Sequence, residues 1–172
     1  MLDNAKPGST IVINCTDDAA TGRTLNDSVK TVTFSDSKDR TGDVNLTLDE
    51  YTIIMNSGNW MSVANAQPGY DVGSYTTAMA AAATAALEMG VELDDIRNTL
   101  ADFEGLSGRM REQVFEGKTL IDNSNSGMNI ISAEKSLAYA NTLQIKKKGR
   151  TIMVLGEEAA QVCEGLTPEE VS

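Results

Sequence analysis

Apolar and polar positions alternate in the first third of the chain, which predicts strands. Residues 9–14, STIVIN, form a β-branched run after a Pro-Gly pair, as in a buried strand. Three further runs of this kind follow, at residues 29–34, 43–48 and 51–55. Because only Asp49 and Glu50 separate the last two runs, they predict a hairpin. The alternation is weaker over residues 56–73, where we expect a loop with some strand.

Apolar residues in the middle of the chain recur every three or four positions, which predicts helices. Residues 76–89 are rich in alanine and are followed by Gly90, a residue type that commonly ends helices. A second helix is expected over residues 93–103, with an apolar face made of Leu93, Ile96, Leu100 and Phe103. A shorter helix over residues 19–25 would begin after Asp17, whose carboxylate can cap it.

Residues 104–108, EGLSG, interrupt this pattern and predict a hinge or domain boundary. The elements expected beyond it are strands at 110–115 and 119–122, a helix at 129–140 and a strand at 150–155. The expected inner side of that helix consists of Ile130, Ile131, Ala133, Leu137 and Ala138. Strands that alternate with helices are typical of an α/β fold with parallel pairing.

The last residues also carry a helix signal. Residues 167–170, TPEE, combine a Thr cap, a Pro at the first helical position and a Glu three residues after the cap. The sequence stops two residues later, and a helix of one turn does not offset its nucleation cost. We therefore expect a fragment of a longer polypeptide. The alternative is a short helix packed at the terminus.

Composition excludes several classes of function. A net charge of −11 disfavours nucleic acid as a partner, and the one basic run, residues 146–150, is expected to be a solvated connection. The chain has no histidine, which excludes Ser-His-Asp and Cys-His catalysis. Cys15 and Cys163 form no CxxC pair, as expected for a protein of the reducing cytoplasm. No apolar run reaches the roughly 20 residues of a membrane span, so no membrane partner is expected.

The sequence Gly117-Lys118-Thr119 looks like the end of a phosphate-binding loop. Such a loop needs a glycine five positions earlier and a helix after it. Glu112 stands at that earlier position, and a strand is predicted to follow Thr119. We therefore interpret these residues as a hairpin turn.

Three other segments remain candidates for binding. Arg109 follows a glycine in the predicted hinge, and its guanidinium could bind two phosphate oxygens or form only a surface salt bridge. Asp122 and Asn123 follow a strand, at the end where open α/β sheets bind ligands. Either could hold a ribose hydroxyl or merely form a turn. In the run Asn14-Cys15-Thr16-Asp17-Asp18, the carboxylates could hold Mg²⁺ through water or cap a helix.

Taken in order, these pieces resemble the Mur ligase family, which joins a carboxylate to an amine using ATP. IVINCTDD is similar to the Asn-x-Asp-Asp strand end of the family's central domain, with one extra residue. AMAAAATAALEMGVELDDIRNTLADF resembles its two helices, and Gly108-Arg109 its interdomain Gly-Arg motif. TLIDNSNSGMNIISAEKSLAYA and RTIMVLG resemble the start of its C-terminal domain. At residues 74–78, SYTTA, the family usually has His-Asn-x-x-Asn instead.

The resemblance implies a partial central-domain sheet with an Ala-rich helix over residues 1–105. A Rossmann-like α/β C-terminal domain would begin over residues 106–172. Arg109 would contact the ATP phosphates, Asp122 or Asn123 would lie near the ribose, and Asn14 and Asp17 would line the nucleotide side. ATP and Mg²⁺ would serve the complete enzyme, whose phosphate loop and metal ligands lie upstream in the family. No metal ligand is therefore assigned to this chain.

The expected function is a fragment of an ATP-dependent ligase that activates a carboxylate as an acyl phosphate for attack by an amine. The UDP-N-acetylmuramyl-peptide synthetases are the reference type, and the expected partners are these substrates and the missing domains of the same enzyme. One alternative is a non-catalytic acidic α/β binding module. Another is a divergent ligase with a non-peptidoglycan substrate, since one family member acts on a methanogen nickel tetrapyrrole. Without the phosphate loop, this chain alone is not expected to turn over ATP.

Overall fold

A computed structural model of the chain describes residues 5–23, 27–124, 130–147 and 149–155. The chain divides into two compact units. The first unit comprises Met1–Pro68 and Tyr75–Phe103, and the second comprises Gly69–Ser74 and Glu104–Ser172.

The first unit is built on a five-stranded sheet in which the strands follow their order in the sequence. Its strands are β1 (Thr10–Asn14), β2 (Lys30–Ser35), β3 (Val44–Asp49), β4 (Thr52–Ser57) and β5 (Trp60–Asn65). The first three strands are parallel and the last two are antiparallel additions. The predicted hairpin between β3 and β4 is confirmed. β5 lies within residues 56–73, which were predicted to be a loop with some strand.

The sheet of the first unit buries one face against helices. The helices of this unit are α1 (Asp18–Thr21), α2 (Thr76–Glu88) and α3 (Leu93–Asp102). α2 packs on β1, β2 and β3, and α3 packs on β5. The buried face includes Leu46, Ile53 and Met55, which are at most 1% exposed. Ala80 of α2 is also fully buried, and its small side chain lets the helix approach the sheet closely.

Two helix boundaries in the first unit are set by local signals. Gly90 has φ of +83°, so it ends α2 in the left-handed conformation that glycine favours, as predicted. α1 ends at Thr21, with Gly22 as its C-cap, and is shorter than the predicted helix over residues 19–25. Residues 24–26 lie outside the described residues.

The second unit contains an antiparallel hairpin and a long helix. The hairpin joins β6 (Arg111–Phe115) to β7 (Lys118–Asp122), and the helix is α4 (Ile130–Lys147). The segment Gly69–Ser74 runs beside β6, because Glu112 donates its N–H to the Gly69 carbonyl at 2.7 Å and Asp71 donates to the Met110 carbonyl at 3.0 Å. Tyr70 is fully buried in this unit.

The predicted inner side of the helix in the second unit is wrong. Ile131 is 62% exposed and Leu137 43% exposed, although both were expected on that side. Ile130 and Ala138 are exposed as well, and α4 instead buries Leu143. α4 turns this other side inward because Ser136 and Tyr139 form hydrogen bonds to the hairpin side of the unit.

The apolar run at residues 150–155 was predicted to be a strand and is irregular instead. A strand needs a neighbour for its backbone hydrogen bonds, and the sheet of this unit consists of β6 and β7 alone among the described residues. The helix start predicted at residues 167–170 lies outside the described residues. Among the described helices, none combines the length and apolar character of a membrane span.

Candidate functional site

The Gly117-Lys118-Thr119 sequence forms a hairpin turn and the start of β7, as predicted. Glu116 and Gly117 make the turn with φ of +48° and +73°. Two successive positive φ angles are typical of the two-residue turns that join antiparallel strands. Lys118 pairs with Phe115 across the hairpin, so its backbone belongs to the sheet. These residues therefore do not form the cradle of amides that a phosphate loop needs.

Asn14 lies at the end of β1 and folds its side chain back on the following residues. Its Oδ1 accepts hydrogen bonds from the Thr16 N–H at 3.0 Å and from the Thr16 hydroxyl at 2.8 Å. Asp17 is the N-cap of α1 and accepts from the Ala19 and Ala20 N–H groups at 3.0 and 3.1 Å. Both side chains thus shape the exit from β1, and the helix-capping alternative for Asp17 is confirmed.

The second carboxylate of this acidic pair is engaged elsewhere. Asp18 forms an ion pair with Arg40 at 2.6 Å, and this hydrogen bond raises the pKa of the Arg40 guanidinium. Both groups are largely exposed to solvent, so the ion pair contributes little to stability. Within the described residues, no group of three or more His, Cys, Asp or Glu side chains is placed to hold a metal ion.

Asp36 of the first unit was not predicted from the sequence as a candidate residue. It follows β2, and its Oδ2 accepts hydrogen bonds from the Thr76 hydroxyl at 2.8 Å and the Thr77 hydroxyl at 2.6 Å. These threonines begin α2, and the side chain of its N-cap residue Tyr75 does not cap the helix. A carboxylate here also complements the positive end of the helix dipole. The sequence signal that could have pointed to this contact is a Ser-Asp pair at the end of a predicted strand and a Thr-Thr pair at the start of a predicted helix.

Arg109 lies in a tight turn of the second unit. Its N–H donates to the Leu106 carbonyl at 3.1 Å. Gly108 before it has φ of +71° and Met110 after it has φ of +56°. Met110 is 5% exposed, and a non-glycine residue rarely takes this left-handed conformation unless its surroundings enforce it. The guanidinium-bearing residue itself is exposed.

Asp122 is the last residue of β7 and pairs with Arg111 across the hairpin. Its Oδ1 accepts from the Ser124 hydroxyl at 2.7 Å and the Ser124 N–H at 3.1 Å. The Ser124 hydroxyl and then the Ser124 N–H lower the pKa of Asp122 below its ordinary range, and burial opposes them.

Asn123 connects the end of β7 to α4. Its side-chain nitrogen donates to the Ser136 hydroxyl at 2.9 Å, and that hydroxyl donates to the Ser132 carbonyl at 2.8 Å. The Ser136 hydroxyl also lies 3.4 Å from the sulfur of Met110. Asn123 and the Arg109 turn are therefore linked to the same serine of α4.

The structure brings three of the predicted site residues together. Arg109, Asp122 and Asn123 belong to the second unit, where Ser136 of α4 contacts both Asn123 and Met110 of the Arg109 turn. Asn14 and Asp17 belong to the first unit, at the end of β1. Within each unit, the group is ordered by hydrogen bonds of that unit.

Comparison with known proteins identifies relatives of both units. The family described as "Coenzyme F430 synthetase CfbE, C-terminal domain" matches residues 112–172. Coenzyme F(430) synthetase of Methanosarcina acetivorans is 44% identical over 98% of this chain. This chain spans 39% of that protein's length.

Solved Mur ligases share the fold. MurF of Acinetobacter baumannii has a TM-score of 0.64 and 22% identity over 89% of this chain. MurF of Thermotoga maritima in complex with ADP has a TM-score of 0.62 and 15% identity over 80% of this chain. The matches cover 32% and 31% of those two chains. The predicted resemblance is therefore confirmed, and over the stretch that it shares with those proteins this chain has the α/β fold of a Mur ligase.

Proposed function

We propose that this chain is part of an ATP-dependent ligase of the coenzyme F430 synthetase type. The observation that carries the proposal is the 44% identity to that synthetase over 98% of the chain. Identity to the MurF enzymes is only 22% or less in the two structures compared. The non-peptidoglycan alternative is therefore favoured over a UDP-N-acetylmuramyl-peptide substrate and over a non-catalytic module.

The proposed reaction follows the mechanism that the Mur ligase resemblance implies. A substrate carboxylate attacks the terminal phosphorus of ATP and displaces ADP. An amine then attacks the resulting acyl phosphate, which forms an amide and releases phosphate and a proton. Such phosphoryl transfer depends mainly on positioning and charge neutralisation. The phosphate loop and the Mg²⁺ ligands are proposed to belong to other parts of the same enzyme, which are the macromolecular partners of this chain.

Arg109 is the proposed catalytic residue. It is exposed, and its turn is fixed by glycine and methionine residues with positive φ on either side. A guanidinium can bond two phosphoryl oxygens at once and stabilise charge on them as the phosphoryl group moves. A preorganised donor of this kind contributes roughly 10²-fold or more to the rate.

Residues near the ribose and residues on the central-domain side of the nucleotide complete the proposed site. Asp122 or Asn123 would lie near the ribose, at the end of β7, and Asn14 and Asp17 would line the central-domain side. The end of β7 provides both a carboxylate and an amide side chain, which are suited to hydroxyl groups. One solved relative of the same fold was crystallised with ADP, which supports a nucleotide as the ligand.

A chimaeric enzyme tests the proposal. Residues 1–172 of this chain would replace the matching stretch of the Methanosarcina acetivorans synthetase. Phosphate release would be measured with ATP and the synthetase's own carboxylate substrate. Hydroxylamine would be added to trap an acyl phosphate as a hydroxamate. We expect an active chimaera that forms ADP, phosphate and, with hydroxylamine, the hydroxamate.

Arginine variants of the chimaera test the catalytic role. Arg109→Ala should lower kcat by roughly 10²-fold, as for loss of a preorganised charge-stabilising donor. Arg97→Ala is the matched control, because Arg97 is a half-exposed arginine of α3 paired with Asp94 at 2.9 Å. Formation of AMP and pyrophosphate would contradict the acyl-phosphate mechanism. Equal activity of the two arginine variants would remove the role of Arg109.

The isolated 172-residue chain gives a further check. Because the phosphate loop is assigned to another part of the enzyme, the purified chain should release no phosphate from ATP above the buffer rate. A malachite-green assay measures this directly. Steady ATP hydrolysis by the pure chain would contradict the division of the site that is proposed above.

A further inference from the structure

The side of α4 that meets the hairpin carries hydroxyl groups. Ser132, Ser136 and Tyr139 follow one another at spacings of four and three residues, so they share one side of the helix, and each is half-buried. The Tyr139 hydroxyl donates to the Glu112 carboxylate of β6. α4 is therefore attached to its unit by directional hydrogen bonds, which fix the position of a helix more narrowly than apolar contacts do.

Ser136 lies in the middle of this side and contacts two segments outside the helix. Its hydroxyl donates to the Ser132 carbonyl at 2.8 Å and accepts from the side-chain nitrogen of Asn123 at 2.9 Å. Because a hydroxyl has a single hydrogen, donating it within the helix makes Ser136 an acceptor towards Asn123, and this fixes the orientation of the amide. The Met110 sulfur lies 3.4 Å from the same oxygen. One side chain of α4 thus contacts both the residue after β7 and the turn that carries Arg109.

The backbone of the Arg109 turn depends on such contacts. Gly108 and Met110 have φ of +71° and +56°, so positive φ angles precede and follow Arg109. A methionine is strained in this left-handed conformation, because its Cβ crowds the backbone, and it keeps the conformation only where its surroundings enforce it. Met110 is 5% exposed, its carbonyl accepts the Asp71 N–H at 3.0 Å, and its sulfur lies against Ser136. The contacts of Met110 therefore set the direction in which the chain leaves the arginine.

We propose that Ser136 is a positioning residue, whose hydroxyl holds Asn123 and the Met110 side chain at a fixed separation and so positions Arg109 relative to the end of β7. These two segments carry residues proposed to meet ribose and phosphate, and one oxygen of α4 contacts both. The inference rests on the proposed function, since their separation matters to the reaction only if both segments bind the nucleotide. The two contacts are tested on the isolated chain, so their failure is distinguishable from failure of the ligase reaction.

Resonances of the isolated chain report the two contacts. In a sample labelled with ¹⁵N and with ¹³C at the methionine methyl groups, Ser136→Ala should move the Asn123 side-chain amide towards the position of a solvated amide and should shift the Met110 methyl resonance. Ser136→Thr keeps the hydroxyl and should restore both. Thr142→Ala is the matched control and should change neither resonance, because the Thr142 hydroxyl makes the same kind of bond, to the Ala138 carbonyl at 3.1 Å, at an exposed position of α4.

The chimaera with the Methanosarcina acetivorans synthetase tests the effect on the reaction. Ser136→Ala should lower kcat by about two- to tenfold, the factor that a neutral hydrogen bond is worth, and Ser136→Thr should recover it. In the Arg109→Ala background, Ser136→Ala should lower kcat no further, because its effect passes through the arginine. Losses that multiply in the double variant would overturn the proposal. So would unchanged Asn123 and Met110 resonances, or a Tyr139 resonance that moves as much as theirs, since Ser136 would then act on the packing of α4 as a whole.

Discussion

The two units of this chain bury their apolar side chains to very different extents. In the first unit, Leu46 is fully buried under α2 and the neighbouring strands. In the second unit, Phe115 is 66% exposed, Leu120 is 52% exposed and Ile131 of α4 is 62% exposed. The free energy of local unfolding follows the apolar contacts of each segment. We therefore expect the sheet of the first unit to be the more stable part, and the predicted nucleotide-binding turn to lie in the less stable part.

A pair of leucine variants gives the largest expected contrast. Leu46→Ala should lower the free energy of unfolding by about 2–5 kcal/mol, since it leaves a cavity in the core. Leu120→Ala removes the same atoms from a half-exposed site and should change it by no more than about 0.5 kcal/mol. Urea unfolding followed by the fluorescence of Trp60, the single tryptophan, measures the first unit, and amide exchange measures the second. Similar losses in both variants would contradict the comparison.

A pair of glycine variants tests how the second unit holds its hinge. Gly105→Ala would place a Cβ 2.8 Å from the Cβ of buried Tyr70 at φ of +77°. The clash and the unfavourable φ together should cost about 2–4 kcal/mol. Gly117→Ala has a similar φ of +73° but open space around the new atom, so about 1–2 kcal/mol is expected.

Amide exchange at Tyr70 and in β6 would report both glycine substitutions. Equal exchange rates in the two variants would mean that contact between Gly105 and Tyr70 does not constrain the hinge. A larger effect at Gly117 would place the weak point of the unit in the hairpin turn instead.

Asp36 tests the attachment of α2 to the sheet of the first unit. Asp36→Ala removes a carboxylate that accepts two threonine hydroxyls, and it should cost about 1–3 kcal/mol. Asp39→Ala replaces an exposed aspartate of the same loop and should stay within about 0.5 kcal/mol. Urea unfolding detected at Trp60 distinguishes them. Equal midpoints would show that the hydroxyl contacts add nothing to stability.

Acid titration gives the smallest expected effect. Asp43 accepts the Thr33 N–H and the Thr33 hydroxyl, both at 2.8 Å, and these bonds lower its pKa below the ordinary 3.8. Its contribution to stability is therefore complete above the ordinary value and is lost as pH falls through the lowered one. Thr33→Val keeps the N–H but removes the hydroxyl, so acid unfolding should begin at slightly higher pH. Thr31→Val, an exposed position of β2, should not move it.

Much of the first unit could be predicted from short sequence patterns. The alternation in residues 43–48 and 51–55 predicted the β3–β4 hairpin because one face of the sheet is buried and the other is not. Gly90 marked the end of α2 because few other residues take its backbone conformation. The spacing of apolar residues and the residue types at turns thus predicted the elements correctly where a partner buries one face of each element.

The candidate site could be predicted only in part. The sequence supplied Arg109, Asp122 and Asn123 as side chains suited to phosphate and ribose, and it identified residues 117–119 as a turn. It did not show the Asp36 contact with Thr76 and Thr77, because the partners lie 40 and 41 positions apart. It also chose the wrong inner side for α4, since apolar spacing alone does not show which side meets the hairpin.

By itself, the sequence determined most of the strands and helices of the first unit, that no histidine chemistry is available, and that Lys118 belongs to a hairpin and not to a phosphate loop. Only the tertiary structure decided that Asn123 and Met110 of the Arg109 turn both contact Ser136 of α4. The physical reason is that local elements follow from neighbouring residues along the chain. Ser136 lies 13 positions after Asn123 and 26 positions after Met110, so these side chains meet only when α4 packs beside the hairpin.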